Sequence, residues 1–178
     1  MSILRVKFSG YGGQGIILSS YIVGKAVSIF DGKSATMTQA YGPEARGGAC
    51  SSQVVIDEEK VNYPLVDNAE ILIALSQEGY DKFFHILNED GILFYDNDLV
   101  TELKSHNHIT EKTIPATRIA EDMGKKIVAN IVMLGYVTAQ TDFVTPEAME
   151  ASIRGSVPQQ YVDLNVKAFL TGSKYKKE

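Results

Sequence analysis

The chain begins with a period of two. Leu4, Val6 and Phe8 alternate with Arg5, Lys7 and Ser9, which predicts a strand with one apolar face and one unusually polar face. A central parallel strand covered by helices on both sides is normally apolar throughout, so something polar is expected to cover the second face. The pattern then changes, and Ile16 to Phe30 is apolar nearly all round. A helix of that kind needs burial on more than one side, so a tight partner interface is expected along this helix or the 41–48 loop. Between strand and helix stands Gly10-Tyr11-Gly12-Gly13-Gln14-Gly15.

Asp31-Gly32-Lys33 marks a turn, and Ser34 to Gln39 is β-capable through Thr36 and Thr38. Ala40 to Ala49 has no helical period and holds Gly42, Pro43, Gly47 and Gly48, so it reads as a loop before a third strand at Cys50 to Ile56. With no crossover helix between them, the second and third strands are expected as antiparallel neighbours in a mixed sheet. Regular alternation follows: a strand at Glu70–Leu75, a helix at Ser76–Leu87 with Ser76 as its cap, a strand at Gly91–Tyr95 and another at Ile109–Ile114. The remainder is helical. Thr117–Met123 gives a turn or two, and Ile127, Ile131, Leu134 and Thr138 space a helix over Ile127–Ala139. Pro146–Arg154 and Pro158–Leu170 each open on a proline suited to a first turn, with Gly155 and Gly172 as stops. The pattern predicts an α/β fold, a Rossmann-like three-layer sandwich with a mixed, mainly parallel sheet and a helical C-terminal part. One domain is expected over 1–178, with 172–178 as a flexible tail.

Length and charge narrow the functions. A chain of 178 residues can remove roughly 70% of its unfolded surface from water in one core. The net charge of -5 argues against a nucleic-acid partner, and no run approaches the apolar length of a membrane helix, so a cytoplasmic protein is expected. Cys50 is the only cysteine, which rules out an internal disulfide and an iron–sulfur cluster held by this chain alone. His106-Asn107-His108 has no ligand pattern around it and reads as a solvated turn, so no metal is expected here. No catalytic nucleophile is expected either: no serine occupies a G-x-S-x-G elbow, and Cys50 begins a strand.

What remains is anion binding. Gly10, Gly12 and Gly15 fit G-x-G-x-x-G between a strand and a helix, which aims free backbone N–H groups and the positive helix end at one spot. A dinucleotide site would need an acid at the end of the second strand, yet Thr38, Gln39 and Ala40 stand there, and Asp31 belongs to the turn at the opposite edge of the sheet. The segment Tyr41-Gly42-Pro43-Glu44-Ala45-Arg46-Gly47-Gly48 falls on the same rim as the glycine turn. Arg46 there can grip a phosphate with Glu44 orienting it, or the two can pair within a subunit-contact loop.

Taken in order, the G-x-G-G-Q-G turn, Tyr41-Gly42-Pro43-Glu44 with Arg46-Gly47-Gly48, and Asn130-Ile131-Val132-Met133-Leu134-Gly135 resemble the gamma subunit of 2-oxoacid:ferredoxin oxidoreductases. The resemblance runs from about Arg5 to Phe169, and its second motif is more similar to the 2-oxoglutarate branch than to the pyruvate branch. It implies a cytoplasmic complex that decarboxylates a 2-oxoacid, passes two electrons to ferredoxin or a similar acceptor and transfers the acyl group to coenzyme A. Thiamine diphosphate, magnesium and iron–sulfur clusters are then expected on partner alpha, beta and delta subunits. On this chain the resemblance implies that Gly10, Gly12, Gly13, Gln14 and Gly15 cradle the coenzyme A phosphates, with Glu44, Arg46 and Gly47 beside them. The other readings of the same residues are an independent nucleotide-binding dehydrogenase and a purely structural assembly subunit.

Overall fold

The computed structural model describes residues 3–41, 49–61 and 67–176. Six strands form one sheet: β1 (Leu4–Tyr11), β2 (Ser34–Tyr41), β3 (Ala49–Asp57), β4 (Ala69–Ala74), β5 (Leu87–Asp96) and β6 (Thr110–Ile114), in the spatial order β2-β3-β1-β4-β5-β6. β1, β4, β5 and β6 are parallel, and β3 runs antiparallel to both β1 and β2, so the expected mixed sheet is observed.

Alternation assigns the two faces. Val6, Phe8, Val54, Ile56, Ile71, Ile73, Phe94 and Ile114 point into the larger core, against α1 (Ile16–Lys25), its continuation Ala26–Phe30, and the C-terminal helices α3 (Ala116–Asp122), α4 (Ala129–Gln140), α5 (Pro146–Arg154) and α6 (Val162–Ser173). Leu72, Ala74, Leu93 and Tyr95 point the other way, into a smaller core with Tyr80 of α2 (Gln77–Phe83).

The polar face of β1 lies under α2. Lys7 is 6% exposed, donates to Gln53 Oε1 at 3.1 Å and sits 4.4 Å from the centre of the Phe83 ring. Burial, reinforced by the nearby Lys82 charge, lowers its pKa to about 8. Arg5 pairs with Glu70 at 3.1 Å at the strand's start. The polar cover expected from sequence is therefore Gln53, Glu70 and an aromatic ring.

Helix boundaries moved where packing overrode spacing. The helix after Ser76 stops at Phe83 and tightens into a 3₁₀ turn at Phe84–Ile86, because Leu87 turns out to pair with Ala69 and open β5. Ser76 caps α2 as expected, accepting from Gly79 N at 3.0 Å. Ile127 belongs to a 3₁₀ turn ahead of α4 and is 71% exposed, whereas Ile131, Leu134 and Thr138 are buried as the spacing requires. Gly172 does not stop the last helix. It lies inside α6, where a Cβ would collide with the carbonyl of Val132, and a Cβ on Gly135 of α4 would collide with that of Phe169. These two glycines let α4 and α6 approach backbone to backbone. Within the 172–178 segment expected as a flexible tail, Gly172 and Ser173 belong to α6 and Tyr175 stands edge-on to Tyr136, with ring centres 5.7 Å apart, while residues 177–178 lie outside the described residues.

Candidate functional site

The glycine turn leaves the carboxyl end of β1 and feeds α1, as the sequence requires. Gly13 has φ 98° and Gly15 φ 73°, backbone conformations that favour glycine. Their neighbours explain the other positions. Gln14 turns inward: its Oε1 accepts from Tyr11 N at 2.6 Å and its Nε2 donates to Leu75 O at 2.7 Å, across to the end of β4. A Cβ on Gly10 would stand 2.5 Å from Gln14 Oε1, so Gly10 makes room for this plug. A Cβ on Gly15 would strike Asn130, whose Nδ2 donates to Gly15 O at 3.3 Å and Ser19 Oγ at 3.2 Å. Gly10, Gln14 and Gly15 are thus engaged within the chain, while a Cβ on Gly13 would meet nothing within 4 Å.

In parallel α/β sheets, ligands enter the crevice where helices leave adjacent strands toward opposite faces. Here that crevice lies between β1 and β4, and Gln14 bridges it. On the other side of the turn is an open cleft of about 340 Å³. It is bounded by Gly13 and Gly15 of the turn and Leu18 of α1, by Lys125 and Ile127 ahead of α4, and by Pro158 and Tyr161 ahead of α6.

Three helical segments therefore begin at one cleft, and none has a side-chain cap at its start. The first amides of a helix have no partner within it and carry its positive dipole end. α4 and α6 are entered through 3₁₀ turns that bond part of this set, with Val128 N donating to Lys125 O at 3.1 Å and Tyr161 N to Pro158 O at 2.8 Å, whereas elsewhere side chains serve the helix starts: Ser76 caps α2, Thr145 caps α5 at 3.2 Å, and Asp96 accepts from Thr117 N in α3 at 2.8 Å. The cleft thus combines helix starts without side-chain caps, Lys125, apolar walls and the half-exposed Tyr161 ring. Such a site accommodates an anion attached to an apolar or aromatic body.

Glu44, Arg46 and Gly47 lie outside the described residues. The residues flanking that segment are placed: Tyr41 pairs with Cys50, and Ala49 pairs with Tyr11, so both ends of the loop emerge beside the glycine turn. Asp31 is remote from the turn and bonds Thr145 N at 2.9 Å and Oγ1 at 2.7 Å, consistent with its exclusion as a ribose acid. Burial pushes the Cys50 thiol pKa up, away from nucleophilic use. His106 is not a freely solvated turn residue. It bonds Glu111 at 2.6 Å and leans on Phe84, and the described residues contain no group of three or more potential metal ligands. Nor does any helix among them have the length and apolarity to cross a membrane.

Sequence reasoning overlooked Lys125 and Tyr161, which lie 110 or more residues beyond the turn and carry no local motif. Asn130 was visible as the first residue of the third motif, though its role as a brace for the turn was not.

The model of the pyruvate ferredoxin/flavodoxin oxidoreductase family matches residues 5–175. A 2-oxoglutarate synthase subunit KorC from Methanocaldococcus jannaschii is 46% identical over 176 residues, covering 98% of this chain and 94% of the relative. The crystal structure of a keto/oxoacid ferredoxin oxidoreductase gamma subunit from Geobacter sulfurreducens superposes with a TM-score of 0.85 at 44% identity, covering 95% of each chain. A 2-oxoglutarate:ferredoxin oxidoreductase from Magnetococcus marinus, solved with 2-oxoglutarate, coenzyme A and succinyl-CoA, shares the fold at a TM-score of 0.86 and 21% identity; the match covers 97% of this chain and 31% of that one. On these grounds the chain belongs to the pyruvate ferredoxin/flavodoxin oxidoreductase family, as a gamma-type subunit of a 2-oxoacid:ferredoxin oxidoreductase most like the 2-oxoglutarate branch.

Proposed function

We propose that this subunit contacts coenzyme A within a complex that converts a 2-oxoacid, in the first instance 2-oxoglutarate, to its acyl-CoA and carbon dioxide. The observation that carries the reading is the convergence of three uncapped helix starts and Lys125 on the cleft beside Gly13. Coenzyme A brings phosphates for the amides and Lys125, and an adenine and a pantetheine arm for the apolar walls. The dipole of one helix contributes only about 0.3–1 kcal/mol, up to about 2 when partly buried, so several starts acting together are needed. Arg46 and Glu44 are assigned to the same contact, because the described strand ends on either side of residues 42–48 lie at the glycine-turn end of the sheet, Ala49 opposite Tyr11 and Tyr41 opposite Cys50.

The acyl chemistry belongs to alpha, beta and delta partners. A single buried cysteine cannot ligate an iron–sulfur cluster, so the clusters, like thiamine diphosphate and its magnesium, are assigned to those chains. The role of this subunit is to bind and orient the acyl acceptor, with ferredoxin or a similar acceptor receiving the electrons elsewhere in the complex. Ile127 and Tyr161, 71% and 46% exposed at the mouth of the cleft, offer partner chains an apolar rim to close over it.

The test uses the complex assembled with its partners, assayed for coenzyme A-dependent acceptor reduction with several 2-oxoacids. Gly12→Val, Arg46→Ala and Lys125→Ala are expected to raise the KM for coenzyme A by about tenfold each, equivalent to about 1.4 kcal/mol, with the KM for the 2-oxoacid unchanged. Normal coenzyme A affinity in all three would remove the assignment. One observation favours the purely structural reading: Gly10, Gln14 and Gly15 are all explained by internal packing. Under that reading the glycine substitution breaks assembly and leaves coenzyme A affinity intact in whatever complex forms.

A further inference from the structure

Two nearly buried amides line the cleft beside Gly13. Asn130 stands at the start of α4 and is 3% exposed; Asn165 ends the first turn of α6 and is 8% exposed. Each is pinned by its nitrogen. Asn130 Nδ2 donates to Gly15 O at 3.3 Å and to Ser19 Oγ at 3.2 Å, and Asn165 Nδ2 donates to Tyr161 O at 2.8 Å. A main-chain carbonyl only accepts, so turning either amide over would set oxygen against oxygen.

Both oxygens are left over. Neither accepts a hydrogen bond from a described residue, and the sealed side-chain atoms without a partner among the described residues are others, His106 Nδ1 and Thr113 Oγ1. The two amide oxygens therefore reach open space, and the space these asparagines share is the cleft of about 340 Å³. Two bare carbonyl oxygens disfavour a phosphate and call for a donor. Asn165 also keeps one of its two N–H groups, so its edge offers a donor and an acceptor side by side. Four positions before it stands Tyr161, the half-exposed ring that borders the same cleft.

Resting on the coenzyme A reading above, we infer that this cleft holds the adenine base, stacked on Tyr161, with the Asn165 amide bonding its edge and Asn130 Oδ1 accepting from its second amino hydrogen. Adenine presents the matching pair: its N6 amino group donates while the neighbouring N7 accepts, and one asparagine meets both at once. The pantetheine arm does not. Its amides are trans, which sets N–H and C=O on opposite sides, so neither can meet one carboxamide edge with both groups. Leu18, Val128 and Leu164 supply apolar contact around the base. The phosphates are then left to Gly13 and Lys125, and the arm to partner chains.

The experiment is isothermal titration of the complex assembled with its partners, without 2-oxoacid, using coenzyme A and its hypoxanthine analogue, in which a carbonyl oxygen replaces the 6-amino group. That oxygen would face Asn165 Oδ1, so the wild type is expected to bind coenzyme A at least about tenfold more tightly than the analogue. Asn165→Ala is expected to abolish the preference, whereas Lys125→Ala is expected to weaken both ligands alike and keep it. A preference is a ratio within one protein, so a general loss of packing cannot imitate its disappearance. A wild type that binds both ligands equally would overturn the adenine assignment, and so would a preference that survives Asn165→Ala. Neither result touches the wider coenzyme A reading. That reading fails separately, and takes this inference with it, if Lys125→Ala and Asn165→Ala both leave coenzyme A affinity unchanged.

Discussion

Lys7 shows how one residue can carry a cost that the fold accepts. Among the described residues its ammonium meets Gln53 Oε1 and the Phe83 ring, and its pKa of about 8 lies below the unfolded value of 10.5. Between those two values the unfolded chain holds a proton that the folded chain has released, so stability rises with pH across that window. Below pH 8 the penalty is fully present. Lys7→Met is expected to stabilise the chain at pH 7 by about 1–3 kcal/mol, the upper end being the full shift converted at about 1.36 kcal/mol per unit, and to flatten the rise between pH 8 and 10.5. Urea unfolding of both proteins at several pH values checks this. The difference between them isolates Lys7 from Tyr80, Tyr95 and Tyr136, whose phenols burial raises and whose contribution is lost as pH climbs. At the same scale, Gln14→Leu removes both hydrogen bonds that tie the turn to Tyr11 and Leu75. A loss of about 1–3 kcal/mol in urea unfolding is expected, since Leu75 O and Tyr11 N are left without that partner.

Among the elements, the α4–α6 pair depends most on particular residues. Gly135 and Gly172 face carbonyls of the opposite helix so closely that no side chain fits. Gly135→Ala is expected to cost at least about 2 kcal/mol by overpacking, and thermal unfolding monitored by circular dichroism measures it. Sequence spacing recognised both helices and the buried Ile131 and Leu134. Reading Gly172 as a stop failed, because glycine marks a helix end and a close crossing equally, and only the facing helix decides between them. The same holds at Ile127. Its spacing fits the apolar stripe, but the chain enters α4 through a 3₁₀ turn that swings this residue out to the cleft. The β2–β3 pairing was legible because a loop without a crossover helix permits only antiparallel neighbours.

For the whole molecule, the proposed coenzyme A contact depends on where helix starts meet. Lys125→Glu reverses the charge of the lysine that lines the cleft among the described residues and is expected to weaken coenzyme A binding to the assembled complex more than Lys125→Ala does, with folding unchanged. Isothermal titration with coenzyme A, compared with pantetheine, measures what the phosphates and adenosine together add to the contribution of the arm.

The amino-acid order alone determined the strands, most helices, the glycine turn and its resemblance to a gamma subunit, because these rest on period, turn chemistry and motifs within a few residues of one another. The tertiary structure decided which side of the turn is open. Gln14 closes the β1–β4 crevice through a carbonyl 61 residues away, and residues from 125 to 161 build the cleft on the other side. Such contacts leave no local pattern. They follow from how two helices cross and how one amide side chain turns, which packing alone fixes.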